Sequence, residues 1–581
     1  MLPDANTATV LVRPCPDPKF GDYQTNALMS LAKARKMNPR QLATDVIAKL
    51  DLADLCDPVQ IAGAGFLNFR LSPPALAATL QSAVRGEHLF FERSAQPRTV
   101  VIDFSSPNVA KPMHVGHIRS TILGDCLART LRLLGHQVIT DNHIGDWGTQ
   151  FGMLLLGWKH HLKPDALKAD PIAEMERLYK MVSATAEATE TVRDAARREL
   201  VKLQSGDVEN LKIWREMIAL SESRFNTIYG RLGVKFDHTL GESFYNPRLK
   251  PLVDELTAKG LARESDGATA IFFENDPQLK DKPALVRKSD GGFNYTTTDL
   301  ATLAHRLETW HPDEIIYVTD GRQQLHFQQV FTAFRMWQRA SGIVPEGHSS
   351  GGSAGTRSEP KLAHVWFGSI LGEDGKPFKT RSGETVKLAD LLDEAEERAL
   401  QVVRAKQLER PDEERAPENS WPEIARVVGI GSVKYADLLP NRQSDYVFSW
   451  DKMLALQGNT APYLQYAYAR IRSIFRKAGG APNLQHPTFN IQLLAPEEIA
   501  LAKHLLNFGL TLEAVADEYR PNFLCNYLHE LAGKFTSFYE NCPVLKAEGA
   551  ARSSRLALCD LTAQVLEAGL RTLGIEVVQQ M

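Results

Sequence analysis

The chain has 581 residues, too many for a single hydrophobic core, so several domains are expected. Hydrophobic residues make up 43%, with no apolar run of membrane-spanning length and no signal-like N-terminal segment, so a soluble cytoplasmic protein with no membrane partner is expected. With 67 basic against 70 acidic residues, a net charge of −3, a generic polyanion binder is excluded, and any nucleic acid has to be held by local basic patches.

Residues 1–92 read as a small α+β module. Thr9-Val10-Leu11-Val12 reads as a strand, Gln24 to Lys36 and Pro39 to Asp51 as amphipathic helices, and Gly65 to Leu71 as an alternating strand. Residues 93–393 carry an α/β rhythm. Val100 to Phe104 is a buried-strand pattern. Ile118 to Leu134 is a helix pattern, with Ile118, Ile122, Cys126, Leu127, Leu131 and Leu134 on one face. Gly135 fits its stop, and Gln137 to Asp141 begins a second strand, completing a nucleotide-binding β-α-β half. A nearly continuous helical pattern over about 158–231 reads as an insertion between two halves. The second half holds a strand at Asp313 to Asp320 and a helix at His326 to Ala340, and Gly347 to Ser358 reads as a surface loop. Residues 394–450 read as a helical connection and 451–581 as a final all-helical domain. Cys15, Cys56, Cys126, Cys525, Cys542 and Cys559 lack metal or redox spacing and are expected to be reduced, mostly buried thiols. No H-E-x-x-H or C-x-x-C pattern occurs, so no tightly bound metal is expected.

The chemistry concentrates in Ser105-Ser106-Pro107-Asn108-Val109-Ala110-Lys111-Pro112-Met113-His114-Val115-Gly116-His117, where strand turns into helix. Free backbone N–H groups and the positive helix end point the same way there, which prepares a site for phosphate. His114 and His117 share a helical face, and Gly116 lets a base or ribose approach the backbone. Asp103, at the end of the strand, faces the ligand crevice. Tyr295 and Asp299, four apart, share a helical face. With Glu242 of Gly241-Glu242-Ser243, three carboxylates are available for one pocket, and a guanidinium, planar with a fixed fork of donors, suits such a receptor. Asn142 to Gln150, with glycines and a tryptophan after a strand, reads equally as a pocket wall and as a structural loop. Gly375-Lys376-Pro377-Phe378-Lys379-Thr380-Arg381-Ser382-Gly383 is a basic turn. In the helix after Gly458, Tyr463, Tyr466, Arg470, Arg472 and Arg476 interleave rings with cations, which suits single-stranded RNA; a core helix with a solvated basic face is the alternative.

In the form S-S-P-N-x-A-K-P-x-H-x-G-H, the first of these motifs resembles the signature of class I aminoacyl-tRNA synthetases, and specifically that of the arginyl-tRNA synthetases. The resemblance extends over nearly the whole length. It implies a Rossmann-like catalytic domain between an N-terminal α+β domain that contacts tRNA and a C-terminal helical anticodon-binding domain. It implies an arginine pocket of Asp103, Asn108, Tyr295, Asp299 and Gln323, with Glu242 added, and ATP contacts from His114, Gly116, His117, Lys379, His364, Val365 and Gly368. The basic turn is similar to the family's second signature in degenerate form, with Pro377 in the usual place of a lysine; Lys379 and Arg381 supply charge, and Lys111 is the implied replacement. The implied activity is activation of arginine by ATP, entering with Mg²⁺, and transfer to the 3′ end of tRNA(Arg), by a monomer, with tRNA needed for the first step and no editing domain. Two other readings stay open: a different adenylyl- or nucleotidyltransferase on the same H-x-G-H site, and a silent tRNA-binding paralogue.

Overall fold

The computed structural model describes residues 10–342, 359–378, 385–480 and 490–581. At its centre five parallel strands, β1 (Thr99–Phe104), β2 (Gln137–Asn142), β3 (His238–Thr239), β4 (Glu314–Val318) and β5 (Lys361–His364), lie in the order β5-β4-β1-β2-β3. Valine and isoleucine dominate β1 and β4 because helices cover both faces of the sheet. The strand period of two divides their side chains. Val100, Ile102, Phe104, Ile316 and Val318 join one core, and Val101, Ile315 and Tyr317 join another.

The helix after β1 is α1 (Val115–Leu133). It lies close on its strand because residue 124 is glycine: a Cβ there would stand 2.2 Å from Cγ of Phe104. Packed on the opposite face are α2 (Glu242–Ala258), α3 (Tyr295–Trp310) and α4 (Gln324–Ala340). The continuous helical insertion expected from the sequence is broken into five helices, Gln150–His161, Pro164–Ala169, Pro171–Ala188, Glu190–Gln204 and Val208–Leu232. Pro164 and Pro171 each start a new helix, since proline fits the first helical turn and breaks an interior one. A three-stranded antiparallel sheet, Ala262–Ser265, Ala268–Ile271 and Ala284–Arg287, has no counterpart in the sequence reading.

In the N-terminal part, Arg13–Pro14, Tyr23–Thr25, Phe66–Phe69 and Gln60–Ala62 form an antiparallel sheet in that order. The strand expected at Thr9 to Val12 starts later: Val10, Leu11 and Val12 are exposed and precede it, and Thr9 lies outside the described residues. Gln24 opens no helix either; it belongs to a strand, and the helix is Ala27–Ala34.

Beyond the sheet come α5 (Leu388–Leu408), α6 (Trp421–Leu438), α7 (Ala461–Lys477), α8 (Asn522–Asn541) and α9 (Gly549–Thr572). One hydrophobic core runs without interruption from Leu76 through the α1 face of the sheet to Ile575. The stretch Pro496–Glu518 has the length and apolarity to cross a membrane, but it is two helices, Pro496–Leu505 and Phe508–Glu518, and Leu501, Leu505, Phe508 and Leu512 lie in that core. Between α1 and α6, Arg119 and Asp437 form an ion pair at 3.0 Å with side chains 1% and 0% exposed. Arg119 also donates to the carbonyls of Gly368 (2.8 Å) and Ser444 (3.1 Å). Lys434 of α6 donates to the carbonyls of Leu232 and Gly574, closing the C-terminal ends of two helices.

Candidate active site

At the exit of β1 the backbone is strained. Ser105, Ser106 and Ala110 have φ of +74°, +48° and +62°, a region that costs a non-glycine residue about 1–3 kcal/mol. Each is held in place. Ser105 N–H donates to Ser120 Oγ (2.8 Å), Ser106 N–H to Asn142 Oδ1 (3.1 Å), and Ala110 N–H to Ser221 Oγ (3.0 Å). The result is an exposed Asn108 between buried Pro107 and Val109.

His114 is the N-cap of α1. Its Nδ1 accepts from the Gly116 N–H at 3.0 Å, and Nδ1 of His117 accepts from the His114 N–H at 3.1 Å. With both Nδ1 atoms accepting, each neutral ring carries its proton on Nε2. Burial, aided by the charge of Lys111, lowers the pKa of His114. Burial and the charge of His114 lower that of His117 to about 3, against the backbone hydrogen bond. The two rings, 4.0 Å apart, are therefore neutral at pH 7 and offer two Nε2–H donors rather than two positive charges. Gly116 serves this cap directly, since a Cβ there would lie 2.8 Å from the His114 ring.

The loop after β2 meets the start of α2. The Glu242 N–H donates to the Ile144 carbonyl (3.1 Å), and its carboxyl group takes the backbone N–H of Trp147. Asp146 accepts from Ser243 twice, from N–H at 2.8 Å and from Oγ at 2.5 Å. Burial, with the charges of Asp146 and Asp299 added, raises the Glu242 carboxyl to about 8. Asp299 Oδ2 meets His326 Nε2 at 2.5 Å. Burial pulls that imidazole down, but the hydrogen bond and charge of Asp299 outweigh it, and its pKa is raised. The same contact draws the first turns of α3 and α4 together, with exposed Tyr295 and exposed Gln323 beside them. Carboxylates from two helices that repel across a shared, half-buried space make a receptor for a cation.

Asp103 is arranged differently from the sequence expectation. Its Oδ2 pairs with Arg306 at 2.6 Å and its Oδ1 accepts from Ser106 Oγ at 3.1 Å; the fully buried Arg306 also pairs with Asp141 at 2.7 Å. The guanidinium that Asp103 meets is the chain's own. Arg306, Asp146 and Ser243 had not been singled out in the sequence. Asp146 lay in the quoted Asn142 to Gln150 stretch and Ser243 beside Glu242 in Gly241-Glu242-Ser243, while Arg306 lay in no motif.

The model for the catalytic domain of class I tRNA synthetases (R) matches residues 79–450. The arginyl-tRNA synthetase N-terminal domain matches residues 2–71, and the DALR anticodon-binding domain residues 464–581. The chain belongs to the class I arginyl-tRNA synthetases. It is 46% identical to the arginine–tRNA ligase of Hahella chejuensis over 98% of this chain and 96% of that one. It is 45% identical to the ligase of Chromobacterium violaceum, over 99% and 97%. Among solved structures, the Plasmodium falciparum arginyl-tRNA synthetase superposes with a TM-score of 0.79 at 29% identity, covering 98% of this chain and 95% of that one. The Thermus thermophilus enzyme gives 0.79 at 25%, covering 98% and 96%. The chain is an ATP-dependent ligase that activates arginine and charges tRNA with it.

Elsewhere in this arginyl-tRNA synthetase the expected residues fall into distinct settings. Lys111 is exposed, with Nζ 5.6 Å from the ring centre of Tyr179 on the insertion helix Pro171–Ala188. Lys379 and Arg381 lie outside the described residues, as do Gly347 to Ser358. On one side of the second-signature turn, Phe378 donates its N–H to Ile370 and stacks on Phe448 at 4.5 Å. On the other, Val115 N–H donates to Val386 (2.9 Å) and Leu388 N–H to Met113 (2.9 Å), so the turn's exit is pinned to the start of α1. The His364 ring contacts Thr319 Oγ1 at 2.8 Å; burial, then the charges of Arg442 and His326, lower it to about 4. Val365 is fully buried, and Gly368 lies so close to Asp445 that a Cβ would stand 2.6 Å from Oδ1, so both pack against protein.

Helix α7 divides its expected RNA contacts between two faces. Tyr463 packs on His529 (5.4 Å) and Arg470 on Tyr539 (4.6 Å), both of α8, with Tyr466 39% exposed nearby. Arg472 and Arg476 instead hold Gln579, at 3.0 and 2.9 Å. Among the described residues, no three His, Cys, Asp or Glu side chains group as metal ligands.

Proposed function

We propose that arginine lies with its guanidinium between Glu242 and Asp299, beside Tyr295, and with its α-amino and carboxylate groups toward Asn108 and Gln323. The observation that carries this reading is the placement of the Glu242 carboxyl, partly buried, held by the Trp147 N–H and close enough to Asp146 and Asp299 for their charges to oppose its own. The orientation follows from the chemistry. The arginine carboxylate attacks the α-phosphate of ATP, so it belongs near the signature, and the cationic end belongs among the carboxylates. Neutral His114 and His117 donate from Nε2 to the phosphate oxygens, next to the exposed backbone of Gly116. Lys111, Lys379 and Arg381 supply positive charge as pyrophosphate departs. Mg²⁺ arrives with ATP as part of the substrate. His364 borders the adenine side, with Val365 and Gly368 supporting it through backbone. Asp103 acts through Arg306 and Ser106 and holds the floor of the pocket.

In the same reading, residues 1–92 contact tRNA, 93–393 catalyse with a helical insertion at about 158–231, 394–450 connect, and 451–581 read the anticodon stem and loop. The Tyr463, Tyr466 and Arg470 face meets the RNA, with Arg472 and Arg476 flanking it. The enzyme works as a monomer in the cytoplasm. Arginine-dependent pyrophosphate exchange with tRNA present tests the pocket. Asp299→Asn keeps the shape and removes the charge, and losing the partner of a buried cation costs about 3–5 kcal/mol. The arginine KM rises at least a hundredfold while the ATP KM holds; an unchanged arginine KM overturns the assignment.

A further inference from the structure

The loop after β2 is bonded on both of its sides at once. On one side, the Gly145 N–H donates to the Pro107 carbonyl at 3.0 Å, and the Val109 N–H donates to the Gly145 carbonyl at 3.0 Å. These two bonds flank Asn108, whose Oδ1 lies 2.3 Å from where a Cβ of residue 145 would stand. On the other side, Ile144, Asp146 and Trp147 hold the backbone of Glu242, the next residue Ser243, and the Glu242 carboxyl group itself. Gly241 makes this second contact possible, because a Cβ there would stand 2.3 Å from Asp146 Oδ2. Asp146 is only 5% exposed, and its carbonyl also accepts from Trp214 Nε1 at 2.9 Å, which fixes the loop from behind.

We infer that Ile144–Trp147 is a molecular ruler: it sets the distance between Asn108 and Glu242, and so selects an amino acid by the length of its side chain as well as by its charge. The inference rests on the proposed reading that Asn108 and Glu242 take the two ends of arginine. Charge complementarity alone accepts any guanidinium on a flexible stem. A fixed separation accepts one stem length. Asp146 and Ser243 touch neither substrate in this account; they are positioning residues that act through Glu242.

The geometry rules out a looser arrangement. Asn108 and Glu242 are 134 positions apart in sequence, yet both are tied within one residue to the same four-residue loop. Their backbones cannot move apart without breaking a hydrogen bond to that loop.

The test compares arginine with homoarginine, one methylene longer, and 2-amino-4-guanidinobutyrate, one methylene shorter, in pyrophosphate exchange with tRNA present. Ser243→Ala removes the Oγ contact to Asp146, and Ser243→Thr keeps a hydroxyl. A single methylene is typically worth a 10–200-fold preference. In Ser243→Ala the kcat/KM preference for arginine over homoarginine narrows by about tenfold, the arginine KM rises, and the ATP KM stays put. Ser243→Thr restores the preference. Asp146→Asn, if it folds, narrows the preference further. A preference unchanged in both Ser243→Ala and Asp146→Asn overturns the ruler. Glu242→Gln separates the two layers of the argument. If it leaves the arginine KM unchanged, the pocket reading has failed and the ruler with it. If it raises the KM while Ser243→Ala and Asp146→Asn both leave the preference intact, only the ruler has failed.

Discussion

In the pocket proposed above, a single carboxyl group, Glu242, couples substrate binding to protons. Its pKa in the folded protein, about 8, lies above the ordinary 4.5, so between those values the folded chain holds a proton that the unfolded chain has released. Its contribution to stability is therefore complete below about pH 4.5 and is lost as pH rises through about 8. Guanidinium binding needs the ionised form, so arginine binding below pH 8 expels this proton. Arginine affinity should rise nearly tenfold per pH unit between about 6 and 8 and then level off. Calorimetry in two buffers of different ionisation enthalpy measures the proton release directly. Release approaches one proton at pH 6.5 in the native enzyme and disappears in Glu242→Gln; no release in the native enzyme refutes the coupling. The histidines teach the complementary lesson. Their place in the signature is plain in the sequence, but their neutrality comes from burial and their tautomer from two backbone N–H groups, which only the fold reveals.

Among the elements, α1 depends most on a single missing atom. Gly124→Ala puts a Cβ against the Phe104 ring, and overpacking of this kind typically costs about 1–3 kcal/mol. Denaturant unfolding should show that loss, and Phe104→Leu added to it should recover part of it, because the two changes share one contact. Additive losses contradict the packing argument. The sheet-and-helix rhythm around α1 was legible in the sequence because buried parallel strands and a one-faced helix leave strong apolar periodicities. The sheet at 262–287 was not. Its strands are four residues each, too short for alternation to stand out. Asp103 was legible at the strand end, but its partner was not, since Arg306 is 203 positions away and no local pattern announces it. The loop of Asn142 to Gln150 balanced evenly between pocket wall and scaffold because its bonds run to Pro107, Val109, Glu242 and Ser243, all distant in sequence.

At the scale of the molecule, the catalytic sheet and the C-terminal helices are not separate bodies that happen to touch. The core from Leu76 to Ile575 is continuous, and Arg119 and Asp437 join α1 to α6 out of reach of water. Chains of several domains commonly unfold in stages. Here the catalytic sheet and α6 to α9 should melt together, as one calorimetric transition. Asp437→Ala, which leaves the Arg119 charge buried and unpaired, should lower the stability of that whole unit by about 3–5 kcal/mol. Two resolved transitions, or loss of the helical signal alone, contradict this unity. The grip of Arg472, Arg476 and Lys434 on residues 574–579 then acquires a meaning during protein synthesis. The hydrophobic faces of α6 and α7 wait for residues 574–579 to leave the ribosome before they can be sealed. A chain cut short before Gly574 would expose apolar surface to chaperones and proteases instead of persisting as a half-finished enzyme that binds tRNA and cannot use it.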